Sequence, residues 1–344
     1  LPDRPDHPFL SVVIPTYNRR DSLLRTLNAL SAQTLSPSHF EVLVVSDGSP
    51  DDTREHVHPE KYPFRLRFME QQNSGPSVAR NNGARAACGE VIVYVDDDIE
   101  PIPSFLQHHF DAHQHDDQLV LIGPQSMPPN EWFPVHIAWE HRMLEKQYDR
   151  FKSGEWQAGP NNLYSGNFSV RRRWLLECGG FDPTFKRQED VELGFRLEQL
   201  GLHFRFEPRA DGYHRPERTF ENWYQTPYLY GVRDVQMARD KDQTEAMQLA
   251  RRHYAERNAL TRLMARTCIG RPLLEPALIG ALRCAVPILD RIGLRKLALP
   301  ACSTLFNLRY LQGMAREMGS ARSMWTTLSA ADPGDLNHVE AQTP

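Results

Sequence analysis

Cysteine is scarce. The five in 344 residues (Cys88, Cys178, Cys268, Cys284 and Cys302) are an odd number, widely spaced, with no CxxC pair. That pattern excludes a disulfide framework and a paired-cysteine zinc site, and it fits a reducing compartment. Long apolar runs are also missing: no stretch of about 18 uncharged apolar residues occurs, so no transmembrane helix is expected. The opening stretch, Leu1 to Pro8, is polar and proline-rich, without a basic start leading into an apolar run, so no signal peptide is visible. The chain opens on Leu rather than Met, which leaves room for an upstream piece. These absences together predict a cytoplasmic protein. In that setting the sequon Asn167-Phe168-Ser169 reads as chance.

What is present is ordinary globular composition, 40% hydrophobic and 24% charged, enough for one large domain with an appendage or for two domains. The net charge of -4 hides an asymmetry. Residues 1–250 hold 27 basic against 37 acidic residues, whereas 251–325 hold 13 against 4. The last stretch, 326–344, adds three acids and no base, and is expected to be a disordered polar tail. A basic region on an acidic body points to a partner surface rather than to a fold.

Strand and helix patterns alternate through the first hundred residues. Leu10–Ile14 is a β-branched run stopped by Pro15, followed by Leu23, Leu24, Leu27 and Leu30 at helical spacing. Glu41–Val45 is a second strand, and either Asp51 or Asp52 can cap a helix from Thr53. Phe64–Glu70 alternates like a strand; Ser77–Ala87 is helical, with Gly89 placed to close it. Val91–Val95 is the most apolar strand and runs into Asp96-Asp97-Asp98. This alternation predicts an α/β fold, a mostly parallel sheet with helices on both faces and polar clusters at its C-terminal edge. Farther on, 135–152 and Asp190–Leu200 read as helices. Beyond about 235 only helices are expected, interrupted at Pro272, Pro276, Pro287 and Pro300.

Three adjacent carboxylates at the end of a buried strand repel one another unless positive charge compensates them. A divalent cation supplies it, and hard oxygen ligands suit Mg²⁺ or Mn²⁺. In an extended segment Asp96 and Asp98 point one way and Asp97 the other, so Asp96 and Asp98 are expected to share one site and Asp97 to matter least. The bland reading is a solvated acidic turn. Glu189-Asp190 opens a helix, where a carboxylate is stabilised anyway, yet a general base can stand there too. His214 is one of fourteen histidines, of interest as an imidazole that completes the Asp98 site.

In this order, Pro15-Thr16-Tyr17-Asn18-Arg19, Val45-Ser46-Asp47-Gly48-Ser49, Ala79-Arg80-Asn81-Asn82-Gly83, Tyr94-Val95-Asp96-Asp97-Asp98, Gly179-Gly180-Phe181-Asp182 and Glu189-Asp190-Val191-Glu192-Leu193 match the motifs of family 2 glycosyltransferases. The chain resembles that inverting group, with its Rossmann-like GT-A fold, over about residues 9–220. The resemblance implies a nucleotide-sugar donor, UDP-linked in preference. It gives Pro15, Thr16 and Tyr17 to the base pocket, Asp47 to a hydrogen bond with the base, and Arg80 and Asn73 to the nucleotide. Asp96 and Asp97 would belong to the donor site, with Asp96 contacting ribose or supporting the metal. Asp98 would bind Mn²⁺ or Mg²⁺ with His214 as a further ligand, and Asp190 would be the base with Glu189 beside it. On the acceptor side, the loop holding Gly166 and Asn167 is expected beside the donor sugar, and Trp156 or Trp223 is available to stack on a sugar.

The resemblance also sets limits. The Gln-x-x-Arg-Trp motif of processive members is absent, since Val170 and Arg171 precede Arg172-Arg173-Trp174, so transfer of one or a few sugars is expected. A nucleotidyltransferase needs a glycine-rich phosphate loop after the first strand, where Pro15–Asn18 has no glycine. A non-catalytic nucleotide-sugar-binding or scaffold protein has no use for the full set of Asp47, Asp98 and Asp190.

The expected organisation is a catalytic domain over 1–235, with its nucleotide-sugar half at 9–100 and acceptor half at 101–235, then a helical region over 236–325. The acceptor would be a glycan, a lipid-linked or a small molecule. Residues 273–312 mix apolar side chains with Arg283, Arg291, Arg295, Lys296 and Arg309. Such a segment either rests on an anionic membrane at the cytoplasmic face or packs as a subdomain or homodimer, the latter preferred. Nucleic acid is not an expected partner, because the basic region lacks interleaved stacking aromatics.

Overall fold

The structure is a computed structural model that describes residues 8–185, 187–241, 243–257 and 259–329. It divides into two compact units, one comprising residues up to Glu131 with His141–Glu217, the other Trp132–Glu140 with the chain from Arg218.

The first unit begins as the periodicity predicts. β1 (Leu10–Thr16), α1 (Arg20–Ser31), β2 (Phe40–Ser46), the short α2 (Thr53–His56), β3 (Arg65–Glu70), α3 (Pro76–Ala86) and β4 (Val91–Val95) follow one another. The rest is β5 (Ile99–Pro101), α4 (Phe105–His113), β6 (Leu119–Ile122), β7 (Gln125–Ser126), α5 (Val135–Lys152), β8 (Asn167–Arg171), α6 (Arg172–Glu177), α7 (Glu189–Gln199), β9 (His203–Phe206) and β10 (Gly212–His214). Seven strands form one sheet in the order β3-β2-β1-β4-β8-β6-β9, and β5-β10-β7 form a smaller one. In the large sheet only β8 runs antiparallel to its neighbours.

Side-chain alternation distributes the core. Val12 and Ile14 of β1 pack with Leu23 and Leu27 of α1 on one face, while Val13 joins Leu43, Tyr94, Phe168 and Leu193 on the other. Both faces are covered, so β1, β2 and β4 are buried throughout, as near-continuous apolar parallel strands require.

One open alternative is decided and one expectation changes. Asp51, not Asp52, supports α2, its Oδ1 accepting from the Thr53 backbone and hydroxyl. α3 is closed by Ala87, whose N–H donates to Gly83, and not by Gly89.

The second unit is helical: the first turns of α5, then α8 (Phe220–Asp240), α9 (Glu245–Ala255), α10 (Ala259–Cys268), α11 (Leu274–Arg291), α12 (Arg295–Glu317) and α13 (Ala321–Ser329). It starts at Arg218 rather than near 235, because α8 packs along α12. Pro287 and Pro300 lie inside α11 and α12 instead of interrupting them, and Pro276 sits in the first turn of α11. A proline removes one backbone bond, and packing of α11 on α12 holds the helices through that loss. Pro272 does lie in a break, the one between α10 and α11 that also holds Gly270 at φ 84°, and the break between α11 and α12 falls at Gly293, at φ 79°. Thr326–Ser329, expected in the polar tail, complete α13; the remainder of the tail lies outside the described residues. Among the described residues no helix is long and apolar enough to cross a membrane.

Candidate active site

β4 delivers the aspartates to the C-terminal edge of the sheet, but strand geometry ends at Val95. The Ile99 N–H donates to the Asp96 carbonyl at 3.1 Å, closing a turn. Thr26 Oγ1 fixes that turn by bonding the carbonyls of Asp97 and Ile99. Because the three residues are not extended, the expected pairing of Asp96 with Asp98 is wrong. Asp97 and Asp98 share one cation, Arg19, whose Nη1 lies 3.2 Å from Asp97 Oδ1 and 2.8 Å from Asp98 Oδ2. Thr16 Oγ1 donates to the other oxygen of Asp97 at 2.7 Å. Asp97, expected to be the spare member, is the most enclosed of the three at 5% exposure.

His214 arrives through β10, which pairs antiparallel with β5 so that His214 stands opposite Ile99. Its Nε2 is 3.6 Å from Asp98 Oδ1, and its buried Nδ1 has no hydrogen-bond partner among the described residues. Burial opposes ionisation of Asp98, but His214 and Arg19 outweigh it and hold the carboxyl down to about 2. Asp97 goes the other way: burial and the neighbouring Asp98 push it up to about 7 against the pull of Arg19 and Thr16.

Asp96 turns to a different partner. Arg80, buried on α3, donates from Nη2 to Asp96 Oδ1 at 2.7 Å and from Nη1 to Glu189 Oε1 at 3.0 Å. One guanidinium thus ties the end of β4 to the start of α7. Asp190, next in that helix, is half-buried, and its oxygens accept from the backbone N–H groups of Ser165 (3.1 Å) and Val191 (2.9 Å). Burial first, and then Glu189, raise its carboxyl to about 7 despite those bonds and Arg80.

Two glycines allow these approaches. At Gly166 a Cβ would stand 2.9 Å from Asp96 Oδ2 and from Gln125 Nε2, so a side chain there would press on the carboxylate that Arg80 holds. Gly180, at φ 75°, lies under Asn81, whose amide donates to the Phe181 carbonyl while its Oδ1 accepts the Phe181 N–H, both at 2.8 Å. This clasp holds the Gly179–Asp182 motif on α3.

The other expected residues divide. Pro15 and Thr16 are buried at the end of β1, and Tyr17, 48% exposed, offers its ring to solvent. Both oxygens of Asp47 are engaged at 2.8 Å by Gln71 Nε2 and by the Ser74 and Gly75 N–H groups, so Asp47 shapes the loop carrying exposed Asn73. Asn167 is not on an acceptor surface. Fully buried, it bonds the Pro124 and Ala210 carbonyls and His109, and so braces β8. Trp156 is partly exposed, with the Arg150 guanidinium over its ring at 4.2 Å. Trp223, fully buried among Trp139, Phe220 and Phe306 of the second unit, is unavailable to a sugar. Sequence reasoning passed over Arg19, Thr26 and Ser165. Of these only Arg19 carried a signal, as the basic residue that ends the Pro15–Arg19 motif.

The donor set suits a divalent ion that relies on its ligand for the rest of its shell. Among the described residues no three His, Cys, Asp or Glu side chains form a cage for a metal. Asp98 and His214 nevertheless face one another with hard oxygen and imidazole donors. Ions bound together with phosphates use only one or two protein ligands.

Comparison with known proteins is decisive about kinship. The model of "Glycosyl transferase family 2" matches residues 11–179. Glycosyltransferase AglE of Haloferax volcanii is 35% identical over 235 residues, spanning 67% of this chain and 74% of that protein. The chain belongs to glycosyl transferase family 2. Another member, validoxylamine A glucosyltransferase of Streptomyces hygroscopicus subsp. limoneus, is 32% identical over 64% of this chain, which spans only 55% of its length. The GT-A fold is shared with S. aureus TarS 1-349 (TM-score 0.52, 21% identity, 90% of this chain and 92% of that one). It is also shared with the mannosyltransferase PcManGT of Pyrobaculum calidifontis, solved with GDP-Man and Mn²⁺ (TM-score 0.55, 18% identity, 99% and 81%).

Proposed function

We propose that the chain is an inverting, non-processive glycosyltransferase that moves a sugar from a nucleotide sugar, UDP-linked in preference, to an acceptor hydroxyl. The observation that carries this reading is the Arg80 bridge. It sets a half-buried carboxyl with a pKa of about 7, Asp190, beside the aspartates that end β4. A general base works best with a pKa near the working pH, and Asp190 meets that demand. It takes the proton from the acceptor hydroxyl as the new bond forms at the anomeric carbon. Arg80 keeps Glu189 and Asp96 in place, and Tyr17 and the Asp47-shaped loop receive the base. Mn²⁺ or Mg²⁺ held by Asp98 and His214 would offset the charge on the departing diphosphate. TarS has been solved with UDP and with UDP-GlcNAc, and PcManGT with GDP-Man, which supports a nucleotide-sugar donor.

A thermal-shift panel of UDP, GDP and dTDP sugars, each with and without Mn²⁺, tests the donor site. A ligand at about 100 times its Kd adds about 2.7 kcal/mol, and a Mn²⁺-dependent rise in Tm with a UDP-sugar is expected. No rise with any donor would remove the reading.

The second unit favours a membrane over a second copy of the chain. Leu260, Leu263, Leu273, Ile288, Ile292 and Leu297 are 57–81% exposed, among exposed Arg262, Arg271, Arg291 and Lys296. Exposed apolar side chains interspersed along the chain with cations suit anionic headgroups, whereas like charges on two copies repel each other. Co-sedimentation with phosphatidylglycerol vesicles, lost in high salt and absent with neutral vesicles, is expected. Equal recovery with both vesicle types would end this idea.

A further inference from the structure

Asp98 has two claimants. Its Oδ2 holds Arg19 at 2.8 Å, and its Oδ1 faces His214 at 3.6 Å, where a divalent ion would sit on the reading above. Arg19 also holds Asp97, so its charge is placed at the mouth of the acidic turn. A doubly charged ion entering beside it meets like charge at close range and must share the carboxylate. Arg19 is free to yield. Its side chain is 34% exposed, and it stands before the first turn of α1, directly after the Pro15–Asn18 loop. A guanidinium fork suits phosphate as well as carboxylate.

We propose that Arg19 is a built-in competitor of the divalent ion at Asp98, one that opposes loading of metal alone and turns to the diphosphate when a nucleotide arrives. Metal and nucleotide then favour each other's binding, because the diphosphate offers Arg19 another anion just as the ion takes Asp98. Such coupling is reciprocal by linkage. A permanent counter-ion would behave differently: removing it would loosen the aspartates and gain nothing for the metal. The inference rests on the metal reading, and the experiment separates the two.

Mn²⁺ binding is measured from the free-ion EPR signal for the parent and Arg19→Gln, each alone, with UDP and with GDP, after circular dichroism has shown the variant folded. The parent is expected to bind Mn²⁺ weakly alone and more tightly with nucleotide. Arg19→Gln should bind Mn²⁺ alone about tenfold more tightly than the parent, and nucleotide should then add less. If the parent binds Mn²⁺ with nucleotide but the folded variant gains no affinity for the ion alone, Arg19 is not a competitor and only this proposal falls. If the parent takes up no Mn²⁺ under any condition, the metal reading fails and this proposal with it. Should Arg19→Gln not fold, Arg19→Lys replaces it. Lysine keeps the charge on a shorter side chain without the guanidinium fork, so a smaller gain in the same direction is expected, and none would overturn the proposal.

Discussion

Asp190→Asn is expected to lower kcat by about 10²–10⁴-fold, the usual contribution of a positioned general base, while leaving donor binding intact. Single-turnover transfer and nucleotide titration, run side by side, separate these effects, and turnover near that of the parent would remove Asp190 as base. The parent's kcat/KM should rise with pH through about 7 and level off above it, as the carboxyl loses its proton. The same substitution should raise stability. An unfolded aspartate titrates near 3.9, so between about 4 and about 7 the folded chain keeps a proton that the unfolded chain has lost. The contribution of Asp190 to stability therefore falls as pH rises across that window, by on the order of 4 kcal/mol in all. Asn escapes this penalty but surrenders one hydrogen bond, worth about 1 kcal/mol. The variant should melt above the parent at pH 8, with a smaller advantage at pH 5. A variant that is both inactive and more stable is the mark of a carboxylate held for chemistry.

The second large effect belongs to Arg80. Removing one member of a buried ion pair strands the other charge, at about 3–5 kcal/mol. Arg80→Met strands Glu189, 13% exposed, and to a lesser degree Asp96, whose 33% exposure lets water screen it. A marked loss of Tm is expected, together with an alkaline shift of the pH limb, because Arg80 helps to keep Asp190 ionised. Glu189→Gln should move the limb the other way, since Glu189 raises Asp190. Arg80→Lys retains the charge without spanning both carboxylates, and should hold the limb near its parental place while still lowering Tm. If none of these variants moved the limb, Asp190 would not be the group that titrates.

The first hundred residues were readable because their strands are buried on both faces and their helices are amphipathic, as Val91–Val95 and Leu23–Leu30 show. β5, β7 and β10 escaped notice, being two or three residues long and formed only by pairing across the chain. β9, His203–Phe206, is an edge strand with exposed His203 and Arg205, too short to outweigh the polar residues around it. The types of residue in the site were also legible, but not their grouping. Two-fold alternation is a property of extended chain, and the turn at Asp96–Ile99 suspends it. Nothing local to Asp96 or Glu189 announces that Arg80 joins them. Asn167 and Trp223 were misplaced for a related reason: amides and indoles serve binding surfaces and interiors alike, and only the fold decides.

The small ladder between β5 and β10 has a wider consequence. His214 pairs with Ile99, Tyr213 with Glu100 and Gly212 with Pro101, and the Ile102 N–H then donates to the Asp211 carbonyl. The long excursion between Ile102 and Asp211 is thereby stapled shut at its base. Asp98 and His214 keep their spacing whatever length the surface loops of that excursion acquire, since loop-closure entropy grows only slowly with length. A slip of one residue in the ladder, by contrast, would turn His214 to the opposite face. Variation in length is thus cheap in the surface loops of the excursion and ruinous at its neck.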